Sequence, residues 1–164
     1  MDPEPGVDLR AIATALNAWG VRYVVIGGQA VLLHGIPLHS FDIDLWIDPA
    51  ARGPVLAWLQ DELGLELSAG ADEPKPMVSV YAGPERLDIF FVNAMTNREG
   101  VTLRLGEVVA RAEHHPDAAS GGIPIPAIDD LIALKRMSAA VRFKDEEAIR
   151  QLEAKKLMRA PKAT

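Results

Sequence analysis

The 164 residues suit one domain, or a core with an appended helical segment, and are enough to bury a hydrophobic core. Apolar residues make up 49% and charged residues 24%, which excludes a disordered or fibrous chain, and the absence of cysteine excludes disulfides and thiolate metal sites, leaving oxygen or imidazole ligands for any metal. A net charge of -6 argues against broad nonspecific attraction to nucleic acid, although a local basic surface is compatible with an acidic total.

The start, MDPEPGVDLR, is polar and acidic, without the basic start and apolar run of a signal peptide. No window approaches the length of a membrane span, so a cytoplasmic location is expected. Leu9, Ile12, Ala13, Leu16 and Trp19 share one face of a helix over 8–19, which Gly20 terminates. Val21 to Ile26 is a β-branched and aromatic run ended by Gly27-Gly28, and 29–34 has the composition of a short helix. Gly35-Ile36-Pro37 breaks it. Over 41–47, Asp42, Asp44 and Trp46 alternate with Ile43, Leu45 and Ile47, the period of a second strand.

A helix over 52–63 carries Val55, Leu56, Leu59 and Leu63, and 69–76 reads as a polar loop with two prolines. Strands at 77–81 and 86–92 flank the turn-like Ala82-Gly83-Pro84-Glu85, which predicts an antiparallel hairpin with Asp88 on its second arm. Beyond Asn93 the pattern weakens. It allows a short helix over 105–112 and a hairpin turn at Ser120-Gly121-Gly122 before Ile123-Pro124-Ile125-Pro126. Asp129-Asp130 opens a helix to about Ala140, and a last helix runs over 144–157. Its basic end, Lys155 to Lys162, is most simply a solvated helix end. Helices mixed with at least one antiparallel hairpin predict an α/β (α+β) sandwich rather than a doubly wound parallel sheet. Trp46 and Trp58 suit a core or an exposed interface equally well.

The most informative segment is Gly27-Gly28 followed, a short helix later, by Ser40-Phe41-Asp42-Ile43-Asp44. Two carboxylates two residues apart on a strand share one face, repel, and raise each other's pKa unless a cation intervenes. Magnesium takes oxygen ligands, typically one or two carboxylates with water and substrate phosphates. Glycines let a backbone approach phosphate oxygens, and a following helix start offers free N–H groups. Taken singly, these are more simply a tight turn and a solvated strand face; together they point to chemistry. Asp88 interrupts the apolar run 86–91, where an acid needs a reason, and metal binding supplies one.

With its Gly-Gly turn, Asp-x-Asp strand and distant third Asp, the chain resembles the nucleotidyltransferase superfamily that includes DNA polymerase β. The runs 23–30 and 130–135, with Arg142-Phe143-Lys144-Asp145, more narrowly resemble small bacterial nucleotidyltransferase-like proteins, including abortive-infection toxins of AbiEii type. The resemblance spans 22–152. It implies a nucleotidyltransferase-type mixed sheet flanked by helices with a C-terminal helical segment, in one domain over 1–164. Residues 7–95 would form the core, and 96–158 a strand-hairpin and helical extension.

It also implies that Asp42 and Asp44 bind Mg2+ or Mn2+ bridging an NTP, while Asp88 holds a second metal or accepts the proton of an attacking hydroxyl. Gly27, Gly28 and Ser40 would cradle phosphate oxygens, and Lys135 would add positive charge toward the nucleotide unless it is simply a solvent-exposed lysine. The acceptor is left open among an RNA end, a protein and a small molecule, and a toxin–antitoxin role with a protein partner is a further expectation. One departure is Leu38, where the narrower group often carries a basic residue. His34 and His39 are candidate substitutes, though histidines near a turn are more often surface or capping residues. Leu38 favours an alternative: a catalytically inactive binding module of the same fold, acting through a protein partner. His114-His115 has no spaced partner for a zinc site.

Overall fold

Asp8 opens the first helix by accepting from the backbone N–H groups of Arg10 and Ala11, two of the donors that a helix start leaves unpaired. Helix α1 (Leu9–Ala18) turns Ile12, Ala13 and Leu16 into the core. The computed structural model describes residues 7–37, 42–68, 75–97, 99–137 and 143–159. After α1 come β1 (Tyr23–Ile26), α2 (Gly27–Leu33), β2 (Ile43–Ile47), a 3-10 turn (Pro49–Ala51) and α3 (Arg52–Asp61). Then follow β3 (Glu66–Leu67), β4 (Met77–Ala82), β5 (Glu85–Phe91), β6 (Ala94–Thr96), β7 (Thr102–Arg104) and α4 (Leu105–Arg111). The remaining elements are β8 (Glu113–His115), β9 (Ile123–Ile125), α5 (Ile128–Arg136) and α6 (Phe143–Arg159).

Five strands form one sheet in the order β1-β2-β5-β4-β3, with β2 and β5 parallel and the other pairs antiparallel. The expected mixed sheet flanked by helices is therefore present. The period-two alternation assigns each side chain to a face. Leu45, Ile47, Val78, Val80, Leu87 and Ile89 are buried in a core shared with Ile12 and Leu16 of α1 and with Val55 and Leu59 of α3. On the opposite face Val24 and Trp46 pack with Leu103, Leu105 and Val108 of β7 and α4. Trp46 is fully buried, and its indole Nε1 donates to the Val92 carbonyl at 2.8 Å. Trp58 is partly buried and meets Trp19 edge to face, centroids 5.2 Å apart. Trp46 is thus a core residue, and the interface alternative falls away for it.

Several expectations change. Gly27 and Gly28 do not precede α2 in a separate turn; they are its first two residues, because Gly27 reverses the chain at φ 68° within a single position. Strands β3, β6 and β7 escape the periodicity because they are only two or three residues long. The hairpin turn at 120–122 is part of a longer connection joining β8 to β9. Among the described residues no helix is long and apolar enough to cross a membrane.

Candidate active site

The register of the parallel pair places the acids. Ile43 lies opposite Leu87 and Asp44 opposite Asp88, so on the face away from α1 and α3 the β2 column Asp42, Asp44, Trp46 runs beside the β5 column Arg86, Asp88, Phe90. Adjacent strands lie about 4.8 Å apart, which makes Asp44 and Asp88 immediate neighbours. The antiparallel register then sets Ser79 of β4 opposite Asp88, and Ile26 of β1 opposite Asp44. One residue beyond Ile26 comes Gly27, and a Cβ there would overlap the Asp44 carboxylate, approaching its Cγ at 3.1 Å.

Asp44 bears the electrostatic cost of this arrangement. Burial first, then the charges of Asp88 and Asp42, push its carboxyl up to about 6, with Lys135 and Arg86 pulling the other way. Asp88 is 8% exposed and has both oxygens engaged: Ser79 Oγ donates to Oδ1 at 2.6 Å, and Arg86 Nε lies 3.2 Å from Oδ2. The same guanidinium reaches Asp42 through its other arm, Nη2 to Oδ2 at 3.3 Å. Among the described residues, no three His, Cys, Asp or Glu side chains stand close enough together to enclose a metal as they are. Arg86 lies between two of the expected ligands. The donor set, carboxylate oxygens with one acid destabilised by its neighbours, nonetheless fits a hard divalent cation.

These groups line a cavity of about 620 Å³ with Gly27, Gly28, Lys135 and Asp145. Lys135 is not a solvent-exposed helix lysine: it is 8% exposed and pairs with Asp145, itself 1% exposed, at 3.3 Å. The wall beyond the acids is apolar, formed by Phe90, Val92, Met95, Leu134 and Met137. A second cleft, about 670 Å³, opens between the start of α1 and the β8–β9 connection and contains none of the expected site residues.

Of the expected site residues, Asp42, Asp44, Asp88, Gly27, Gly28 and Lys135 are brought together around one cavity. Ser40 lies outside the described residues, as do Leu38, His39 and Arg142. His34 is no substitute for a phosphate-binding cation. It is 3% exposed, its Nε2–H donates to the Pro126 carbonyl at 2.7 Å, and burial lowers its pKa, so the ring is neutral and turned into the fold. His115 lies near the Leu33 carbonyl, at 3.2 Å, away from the acids. The basic end of α6 is engaged in ion pairs, Lys156 with Asp129 and Arg159 with Glu113.

Sequence reasoning passed over Ser79 and Arg86. The signal was present in the two-residue hairpin connection, which sets 79 against 88, and in the period-two spacing that puts 86 and 88 on one face. Ser79→Ala leaves Asp88 one hydrogen bond short, and a stability loss of about 1 kcal/mol is expected, measured by urea melts. Wild-type stability in that variant would remove Ser79 from any role in holding Asp88.

No protein-family model matches the chain, and no curated protein matches it in sequence. In three dimensions it is similar to the lincosamide antibiotic adenylyltransferase LnuA, solved with lincomycin bound, with a TM-score of 0.65 and 17% identity over 92% of this chain and 98% of that one. The antibiotic-resistance factor ANT(2'')-Ia in solution gives 0.59 and 20% identity, covering 89% and 80% of the two chains. Its complex with adenylyl-2''-tobramycin gives 0.56 and 19%, covering 89% and 85%. What the chain shares with these proteins is their fold, the mixed sheet flanked by helices of the nucleotidyltransferases.

Proposed function

We propose that the chain is a metal-dependent nucleotidyltransferase moving a nucleoside monophosphate from an NTP to a hydroxyl of a small-molecule acceptor. The observation that carries this reading is the side-by-side placement of Asp44 and Asp88, with Asp42 two residues before Asp44, in a cavity that Gly27 also lines. Two adjacent carboxylates in a half-buried site are costly without a cation. In this reading Asp42, Asp44 and Asp88 are the metal and catalytic carboxylates. Mg2+ or Mn2+, when bound, neutralises charge on the phosphate chain. The acceptor oxygen attacks the α-phosphorus as the bond to the β-phosphate breaks, and pyrophosphate leaves. The hydroxyl proton would pass to Asp88, which lines the cavity.

Lys135, held by Asp145, supplies fixed positive charge from α5, while the Gly27-Gly28 backbone allows close approach of phosphate oxygens. The whole chain then works as one unit: residues 7–95 carry the acids and glycines, and 96–158 contribute Lys135, Asp145 and part of the apolar wall. That wall supports a small acceptor with an apolar face, and the similarity in fold to antibiotic adenylyltransferases points the same way. An RNA or protein acceptor, the AbiEii likeness and a toxin–antitoxin role rest on the sequence runs alone.

Thermal unfolding with each of the four NTPs, with and without Mg2+, tests the donor site without knowledge of the acceptor. Saturation to about 100 times Kd adds about 2.7 kcal/mol, or roughly 5–10 °C for a chain of this size. The rise should need metal and vanish in Asp42→Ala/Asp44→Ala. The bridging of Asp42 and Asp88 by Arg86 favours the second reading, an inactive binding module. Absence of any shift at millimolar NTP would select it.

A further inference from the structure

Arg86 is the least explained group in the cavity. A guanidinium two residues before Asp88 on the same strand face touches both outer members of the acidic set, Asp42 at 3.3 Å and Asp88 at 3.2 Å. Its own side chain is 45% exposed, so it is anchored at the carboxylates and otherwise borders solvent. With Ser79 on Oδ1 of Asp88 and Arg86 beside Oδ2 and also on Asp42, a cation that takes Asp88 and Asp42 as ligands meets the positive guanidinium already seated between them and competes with it. Ser79 is a short side chain on a strand paired across its whole length. The arginine has the longer and freer reach.

We propose that Arg86 is a resident counter-ion that bridges Asp42 and Asp88 in the metal-free protein and is displaced when a divalent cation binds. The inference rests on the nucleotidyltransferase reading for the identity of the metal ligands. Metal and guanidinium compete for the same two carboxylates, so metal affinity depends on how readily Arg86 leaves. The bridge also keeps the acids from repelling one another while the metal is away. Partly exposed ion pairs are modest in strength, which makes such an exchange feasible at ordinary metal concentrations.

The test is a titration of the full-length protein with Mn2+ alone, reading free Mn2+ by electron paramagnetic resonance, on wild type, Arg86→Gln and Arg86→Lys. Arg86→Gln should bind Mn2+ about 5- to 10-fold more tightly, the equivalent of losing two weak ion pairs. Arg86→Lys keeps the charge but lacks the planar fork that spans two carboxylates, and it should fall between the two. Equal or weaker binding by Arg86→Gln overturns the proposal. So does an Arg86→Lys protein that binds as wild type does, since charge alone would then account for the effect.

If the variants fail to fold, the wild-type Arg86 Nε–Hε resonance serves instead: it should move toward a solvent-exposed position as Mg2+ is added, and no movement counts against displacement. Adding an NTP after Mn2+ separates the two ideas. Tighter Mn2+ binding by Arg86→Gln with no nucleotide binding by any form would uphold the exchange and reject the transferase.

Discussion

Gly27→Ala is expected to lose about 2–4 kcal/mol of stability and, on the proposed function, roughly 100-fold or more in nucleotidyl transfer. Two effects add at this one position. The backbone at Gly27 has φ 68°, a left-handed conformation that a Cβ penalises by about 1–2 kcal/mol. The added methyl would also overlap the Asp44 carboxylate, with the Cγ and Cβ of Asp44 at 3.1 and 3.2 Å, so the whole side chain must move rather than its tip alone. Asp44 sits on β2 between β1 and β5 and has little room to yield. A displacement of about 1 Å at a reacting group is enough for a hundredfold loss. Gly53→Ala is the control: it lies in α3 with nothing within 4 Å of the added methyl and should be neutral or stabilising by about 0.5 kcal/mol. Urea melts and transfer assays on both variants decide. A Gly27→Ala protein that melts and works like wild type would remove the close approach of Gly27 to Asp44 from the account.

Asp44→Asn should have the opposite effect on stability while also abolishing transfer, by roughly 10³-fold. The folded value of Asp44, about 6, lies above its ordinary 3.8. Below about pH 4 the carboxyl is protonated in both folded and unfolded chains, and no difference arises. Between the two values the folded state holds the proton more strongly. Above about pH 6 the group is ionised in both states, and the folded state carries the full penalty. Metal-free stability therefore falls as pH rises through this window. A gap of about two units corresponds to about 3 kcal/mol, which solvent screening at a partly exposed group reduces to about 1–2 kcal/mol. The asparagine variant should lose this slope and exceed wild type at pH 7 by a similar amount. Mg2+ should narrow the gap by stabilising only wild type. Denaturant melts from pH 4 to 8 provide the measurement, and an Asp44→Asn protein less stable than wild type at pH 7 without metal would contradict it.

Much of the fold was legible because its longer elements carry clear periodicity. Helices α1, α3, α5 and α6 and strands β1, β2, β4 and β5 fall within a few residues of their expected ranges. The acids were legible for a related reason: Asp42 and Asp44 are local to one strand, and Asp88 stands out against Leu87, Ile89 and Phe91. The parallel pairing of β2 with β5 was not, because nothing local to either strand encodes a partner some forty residues away. That pairing is what converts two separate acidic signals into one site. Lys135 illustrates the limit from the other side. Its helix is amphipathic, and only the packing of α5 against α6 and the partner Asp145 show that the lysine belongs to the buried face. His34 was misread because a polar residue beside a turn gives no sign that its ring is enclosed by Pro126 and Glu113.

The alignment of β2 with β5 also bears on how the chain avoids misassembly. A slip of one residue between them would turn Arg86, Asp88 and Phe90 toward the aliphatic layer under α1 and α3 and leave Leu87 and Ile89 facing the cavity. An ionised carboxylate and a guanidinium in that layer, without their present partners, would cost several kcal/mol. The shifted sheet is thereby penalised far more than an all-apolar strand would be, so the acids that form the site also help fix the register of the strands that carry them. In the native register the carboxylate cluster follows directly, with Asp44 opposite Asp88. Mutations that blunt the acids should then show a second phenotype apart from lost chemistry: a lower barrier to misregistered, aggregation-prone forms.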